Sequence, residues 1–314
     1  MINKRLGFLI LSLAVIIIIP FIVPTYYAHI LIIVLMWVTL ASAWNLLGGY
    51  AGCVSFGHAF FFGIGAYGGG ILYHHWGISP WFGMIVGPVT AALLSIPIGW
   101  ITFRLRGPYF ALGMLAVAEI TRILFINMKD VTNGAVGIMI SRTWGGQKLQ
   151  YYFIILGISI ATITTIYFLL NSKFGYYFLS IREDQDAAEA LGIPTIKYKI
   201  YALIPSAFFT GLGGAFYMNY MAYIEPSVVF NLEGISIMVI LCVMLGGAGT
   251  FFGPSIGAIF YVVLAELFRI IPIIKSAHVL IFALIVIGVI IFIPEGVLGE
   301  WDKIKSLFRK KKIA

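Results

Sequence analysis

Charge is scarce in this sequence. Asp, Glu, Lys and Arg make up 10% of the 314 residues, against roughly 25% in soluble domains, while 61% are hydrophobic and the mean hydropathy is +1.03. A water-soluble core cannot hide that much apolar surface at this length, so the bilayer is the solvent for most of the chain. Cysteine is almost missing. Cys53 and Cys242 form no C-x-x-C pair, which removes any disulfide or zinc framework. The five histidines lack H-x-x-x-H spacing, and the adjacent His74 and His75 read as polar punctuation at a helix end rather than a metal site. No G-x-x-x-x-G-K-[ST] phosphate loop occurs, so the chain has no such cradle for ATP.

Glycine, by contrast, is abundant, with 35 residues set among Ile, Leu, Phe and Ala. The stretch FGIGAYGGG (62–70) carries G-x-G-x-x-G spacing at Gly63, Gly65 and Gly68. That spacing marks a dinucleotide site only after a strand, at a helix mouth, with an acid about 20 residues on. No strand pattern precedes it, and no acid occurs between Gly68 and Glu119. The expectation is therefore no cofactor, and close helix packing through the small-x-x-x-small pair Gly65 and Gly69.

A membrane helix needs ~20 mainly apolar residues. Ten segments qualify, two of them short and glycine-rich: about 6–24, 28–48, 58–74, 81–103, 108–127, 151–171, 200–223, 235–249, 254–271 and 276–294. The first follows Lys4 and Arg5 but lacks a small-x-small cleavage site, so it reads as a retained helix. With the N-terminus inside, inner segments hold Lys4, Arg5, Arg104, Arg106, Lys173, Arg182, Lys197, Lys199 and six residues of the tail 300–314. The outer side and outer helix ends hold Arg122, Lys129, Arg142, Lys148, Arg269 and Lys275. Fourteen against six obeys the positive-inside tendency. The expectation is a single all-α integral membrane domain over 1–314, about ten transmembrane helices, and both termini in the cytosol. The net charge of +8 then belongs to topology and anionic lipid headgroups, not to nucleic acid.

One loop is long and hydrophilic. The segment at about 172–199 carries four charges of each sign. Within it, REDQDAAEALG reads as a short helix, with Glu183, Asp184 and Asp186 in the first turn favouring the positive end of the dipole. Ala187, Ala188, Ala190 and Leu191 give an apolar side, Gly192 caps the end, and Pro194 blocks continuation. Such a helix suits a groove on another protein. Four acids argue against its lying on a negative leaflet.

Polar groups within membrane helices are costly and so are functional candidates. Asn45, Ser55 and His58 gather around the glycine turn after the second helix, where they read as cap groups or translocation-path residues. Glu119 and Arg122, three apart, can pair on one helix face. Ser55 and His58 also have the spacing of an intramembrane nucleophile pair, without an orienting acid nearby in sequence. Glu119 is the main candidate for ion coupling in a secondary transporter. Thr132, Asn133 and Gly134 fall in the longest outer loop. LLGGYAGCVSFG (46–57) and VMLGGAGTFFG (243–253) echo each other, and the topology puts both on the cytosolic side.

Taken together, NLLGGYAGCVSFGHAFFFGIGAY, RLRGPYFALGMLAVAEITRI, TNGAVGI, SIREDQDAAEALGIPTIKYKIYALIPSAFFTGLGGAFY and LGGAGTFFGPSIGA resemble the LivM-type permease of branched-chain amino acid ABC transporters, in order, over roughly 40–270. The resemblance implies an import subunit that pairs with a homologous LivH-type permease, two cytosolic ATP-binding subunits and an extracytoplasmic substrate-binding protein. By the same resemblance the segment around 182–193, with Arg182, Glu183, Asp184, Ala187, Ala188, Glu189, Ala190, Leu191 and Gly192, is the coupling helix that seats in an ATPase subunit. Permeases for urea and short amides are similar, and stand as the alternative substrate class.

Overall fold

The computed structural model describes residues 17–141 and 147–270, with Gly296 beyond them. Its main elements are α1 (Thr25–Asn45), α2 (His58–Trp76), α3 (Pro80–Thr102), α4 (Pro108–Asn127), α5 (Lys148–Leu170), α6 (Lys173–Glu183), α7 (Gln185–Ala190), α8 (Thr195–Met221), α9 (Met238–Gly246) and α10 (Gly253–Ile270). Wide π-helical turns extend α1 over Leu46–Tyr50 and lead into α9 over Leu232–Ile237. Punctuation explains the boundaries. Gly77, at φ +63, closes α2 with its N–H on Tyr73, and Pro80 opens α3. Gly107, at φ +55, is followed by Pro108 at the start of α4.

Eight of the ten expected membrane segments coincide with helices among the described residues. The expected segment 276–294 lies outside them, as do the basic tail 300–314 and most of 6–24; residues 17–22 of the latter are helical. Among the described residues, six stretches are long and apolar enough to cross a membrane: Thr25–Tyr50, Pro80–Thr102, Pro108–Asn127, Lys148–Leu170, Thr195–Met221 and Pro226–Gly246. α2, diluted by glycine and histidine, is not among them.

Burial sorts the helices. In α1 72% of the apolar stretch is buried, against 17% in α4, so α1 is a central pillar and α4 stands at the rim. Aromatics join α4 to α2 through Phe230: Tyr67 of α2 stacks on Phe230 at 5.9 Å, and Phe125 of α4 meets Phe230 edge-on at 4.8 Å.

The glycines of FGIGAYGGG are packing surfaces. A Cβ on Gly65 would collide with the carbonyl of Gly211 in α8, and one on Gly69 would stand 2.6 Å from the Cα of Gly83 in α3. Gly87 would in turn strike the Gly65 carbonyl. α2, α3 and α8 therefore approach backbone to backbone, as small residues allow in membrane bundles.

The loops sort to two ends. One end joins the α3–α4 loop to α7 through Arg106–Asp186 (2.6 Å), and the α1 end to the α9–α10 turn through Asn45 Nδ2, which donates to the Thr250 carbonyl (3.0 Å). The other end holds Lys148 Nζ donating to the Thr25 carbonyl (3.1 Å), His75 Nε2 3.0 Å from the Val131 carbonyl oxygen, and the antiparallel pair β1 (Ile138–Met139) and β2 (Tyr223–Ile224).

Candidate functional site

The charged end of the bundle is built around two glycine turns. Asn45 sits at the last position of α1, where its side chain can reach past the helix. Its Oδ1 accepts from the Gly249 N–H (2.9 Å), while its amide donates to Thr250. The two echoing stretches also touch each other at this end, where a Cβ on Gly49 would stand 2.6 Å from the Gly249 nitrogen. Arg182 fastens the next layer, donating from Nη1 to the Gly49 carbonyl (2.9 Å). Gly52, at φ +71, lies against Arg182, whose Cα and side-chain stem a Cβ there would crowd at 3.1–3.3 Å.

The hydrophilic segment differs from the sequence expectation at its start. Arg182 and Glu183 close α6, and Asp184 breaks the helix in an extended conformation (φ −156, ψ 112). Its carboxylate accepts from the Ala187 N–H (3.0 Å) and so caps α7. Capping by Asp184 outcompetes continuation of α6, which moves Glu183 out of the short helix's first turn. The end is as expected: Gly192 takes φ +83 and nothing lies within 4 Å of a Cβ built there. The apolar side is split. Ala188 is buried, whereas Leu191 is 82% exposed at the tip.

Polar bonds hold α7 from below. Glu189 Oε1 accepts from the Thr195 hydroxyl (2.6 Å) and from the Gln185 amide (2.9 Å), and Arg106 reaches Glu189 Oε2 at 3.3 Å. Lys199, itself buried, donates to Gln185 Oε1 at 2.5 Å. The Thr195 hydroxyl, then the Gln185 amide, hold the Glu189 carboxyl below its ordinary range, with Arg106 and Lys199 adding to the effect. A lowered folded-state value gives stability that is full above the unfolded carboxyl range, ~4.3, and is lost as pH falls on through the lower folded value. The segment is therefore fully fastened at neutral pH. Burial pushes the Cys53 thiol up to about 11, against an opposing pull from Lys199, so it stays protonated and inert.

The intramembrane candidates separate into distinct sites. Ser55 does not pair with His58. Its Oγ accepts from the Gly57 N–H (3.2 Å), and its carbonyl accepts from the Trp44 indole (2.8 Å). His58 Nε2 meets Ser206 Oγ at 2.9 Å instead, and its Nδ1 has no hydrogen-bond partner among the described residues, so no carboxylate orients the ring. These are turn and helix contacts, not a nucleophile arrangement. Glu119 and Arg122 do pair, through two bonds of 2.9 and 2.5 Å. No group of three His, Cys, Asp or Glu is placed to hold a metal among the described residues.

At the opposite end, Thr132 and Gly134 are buried. The Thr132 hydroxyl donates to the carbonyls of Phe125 and Met128 (2.5 and 2.8 Å), and the Asn133 amide donates to the Gly137 carbonyl (2.7 Å). They shape the loop, leaving Val136 (72% exposed) and Met139 (80%) at its surface. Sequence reasoning missed Ser206, Ser236 and Lys199. Ser236 accepts the Ala59 N–H (2.9 Å), satisfying a backbone donor in the first turn of α2.

Lipid-facing apolar helices, sorted loops and a fastened charged segment at one end define a polytopic α-helical membrane protein. The chain belongs to the family of branched-chain amino acid transport system permease components, whose model matches residues 26–293. It is similar to the high-affinity branched-chain amino acid transport system permease protein LivM of Escherichia coli, 29% identical over 295 residues, covering 85% of this chain and 69% of the relative. The LivM protein of Salmonella typhimurium is 27% identical over the same coverage. A probable branched-chain amino acid transport permease protein LivM of Methanocaldococcus jannaschii is 23% identical over 243 residues, 72% of this chain and 69% of the relative. No solved structure matches the chain.

Proposed function

We propose that the chain is the translocation subunit of an ATP-driven importer of branched-chain amino acids. A family match that spans the helix bundle and the charged segment carries this reading. A homologous LivH-type permease completes the pathway, two cytosolic ATP-binding subunits drive it, and an extracytoplasmic binding protein delivers the substrate. α7 is the coupling element, held from within by Arg106, Gln185, Thr195 and Lys199, with Leu191 free to enter a groove on an ATPase subunit.

The test is reconstitution. The complete complex in vesicles is expected to accumulate leucine only when ATP is supplied to the cytosolic face. The isolated chain, which lacks a phosphate loop, neither hydrolyses ATP nor accumulates leucine. ATP turnover by the pure polypeptide sinks this reading.

The proposed topology has ten membrane helices and both termini in the cytosol. The basic residues favour it: Arg104, Arg106, Lys173, Arg182, Lys197 and Lys199 share the α7 end, while Lys129 and Lys148 lie at the other. After replacement of Cys53 and Cys242, a cysteine at Lys129 is expected to react with an impermeant thiol reagent on intact cells. One at Gln185 is expected to react only after the membrane is opened. Labelling of Gln185 from outside reverses the assignment.

A further inference from the structure

α4 crosses the membrane at the rim of the bundle, covered by its own chain on one side only. Phe110, Met114 and Ala118 are buried, while Leu112, Ile120, Ile123 and Leu124 are all roughly half exposed. Glu119 and Arg122 lie on the boundary between those faces, at 42% and 29% side-chain exposure. Glu119 lies about 16 Å along the helix from Pro108, near the middle of a hydrocarbon core roughly 30 Å thick, and Arg122 about 21 Å, one turn further toward the outer end. No other ion pair among the described residues lies within a membrane-length helix. Ionisable groups at that depth are costly and persist where they face protein or water rather than lipid. The pair ties α4 only to itself, so it contributes no tertiary contact that accounts for its presence.

A second feature lies on the same stripe. A cavity of about 420 Å³ opens at the charged end, bounded by Gly52, Cys53, Phe103, Ala111, Gln185 and Lys199. Ala111, Leu115, Glu119 and Arg122 follow at helical spacing, so one flank of α4 runs from this cavity to the ion pair. The cavity also touches Gln185 of α7 and the glycine loop at 51–54. A conduit along this flank would end beside the element proposed to receive the ATP-driven movement.

We propose that this flank of α4 lines the translocation path and that Glu119 and Arg122 form a station for zwitterionic amino acids. The inference rests on the importer reading given above and adds the residues that recognise the cargo. An α-amino acid carries an ammonium and a carboxylate on the same carbon. Its ammonium pairs with Glu119 and its carboxylate with Arg122 as the internal bridge opens. Net charge at the station is zero before and after, so no isolated charge is left at bilayer depth. A neutral solute such as urea offers no such exchange.

The test uses the full complex in vesicles with labelled leucine and two double variants. Glu119→Gln/Arg122→Gln leaves no unpaired charge, so membrane abundance and assembly are expected to stay normal. Leucine uptake per ATP hydrolysed is expected to fall about tenfold or more, the scale of losing charge-assisted hydrogen bonds. Glu119→Arg/Arg122→Glu keeps a bridge but reverses it, and is expected to be as defective. Wild-type uptake per ATP in the double-glutamine variant, or recovery in the reversed pair, overturns the station and leaves an internal bridge. A wild-type complex that hydrolyses ATP yet moves no aliphatic amino acid removes the importer reading, and the station falls with it.

Discussion

Gly65→Val is expected to leave almost no chain in the membrane fraction. The added side chain has nowhere to go, because its first carbon already meets the backbone carbonyl of Gly211, and backbone cannot swing aside as a flexible side chain can. Gly87 approaches the Gly65 carbonyl from α3. Valine therefore has to part α2 from α8 and α3 together, at the crossing that holds three helices. Overpacking inside well-filled cores costs about 1–3 kcal/mol where side chains can shift, and more where they cannot. That is a large part of a stability of roughly 5–15 kcal/mol. Gly77→Ala is the control: nothing lies within 4 Å of its Cβ position, and the cost is confined to its positive φ. Immunoblots of membrane fractions and thermal unfolding in detergent read both. Normal abundance and melting of Gly65→Val would mean that the three helices do not cross at these glycines.

That seam was legible in the sequence because it is local. Small residues four apart on an apolar helix define a groove whatever fills it, and the missing strand and missing acid excluded a dinucleotide. The stop of α7 was legible for the same reason, since Gly192 and Pro194 act on their own backbone. Its start was misplaced because Asp184 can serve either as a first-turn acid or as a cap, and the choice depends on how α6 ends. What stayed hidden is non-local. Arg182 bonds Gly49 across 133 residues and His58 meets Ser206 across 148, and neither partner announces the other. Arg182 gains a structural role from that bond: it stitches the hydrophilic segment to the glycine turns while staying exposed. Lys199 was counted as a cytosolic charge, yet it is buried beside Gln185 and Phe103. The fold places a cation there because Gln185 and the aromatic ring receive it, and no periodicity in the sequence encodes that.

The second large effect is expected at the tip of α7. Leu191→Glu should leave membrane abundance and melting unchanged, while leucine uptake and substrate-stimulated ATP hydrolysis by the full complex fall together. The argument starts from exposure. Leu191 is 82% exposed and stands just past α7, whose remaining side chains are small or already bonded within the chain. A leucine in water contributes nothing to folding, so its loss does not unfold the permease. Buried in a groove on an ATPase subunit, it would contribute ~1.5–3 kcal/mol, and a carboxylate there would add an unpaired charge. Affinity for the ATPase is then expected to drop by about 10- to 100-fold or more. Gly192→Val approaches the same contact through the backbone. Open space surrounds it, so the penalty is the left-handed conformation alone, roughly 1–2 kcal/mol. That is small against the whole bundle but enough to swing Leu191 away from a groove it has to fit. Glu189→Lys tests the support instead, placing a cation beside Arg106 and Lys199, and is expected to loosen α7 as well as weaken coupling. Co-purification of the ATPase subunit with each variant, beside uptake and ATP hydrolysis, separates lost docking from lost folding. Full coupling in both Leu191→Glu and Gly192→Val would show that the ATPase grips this permease elsewhere.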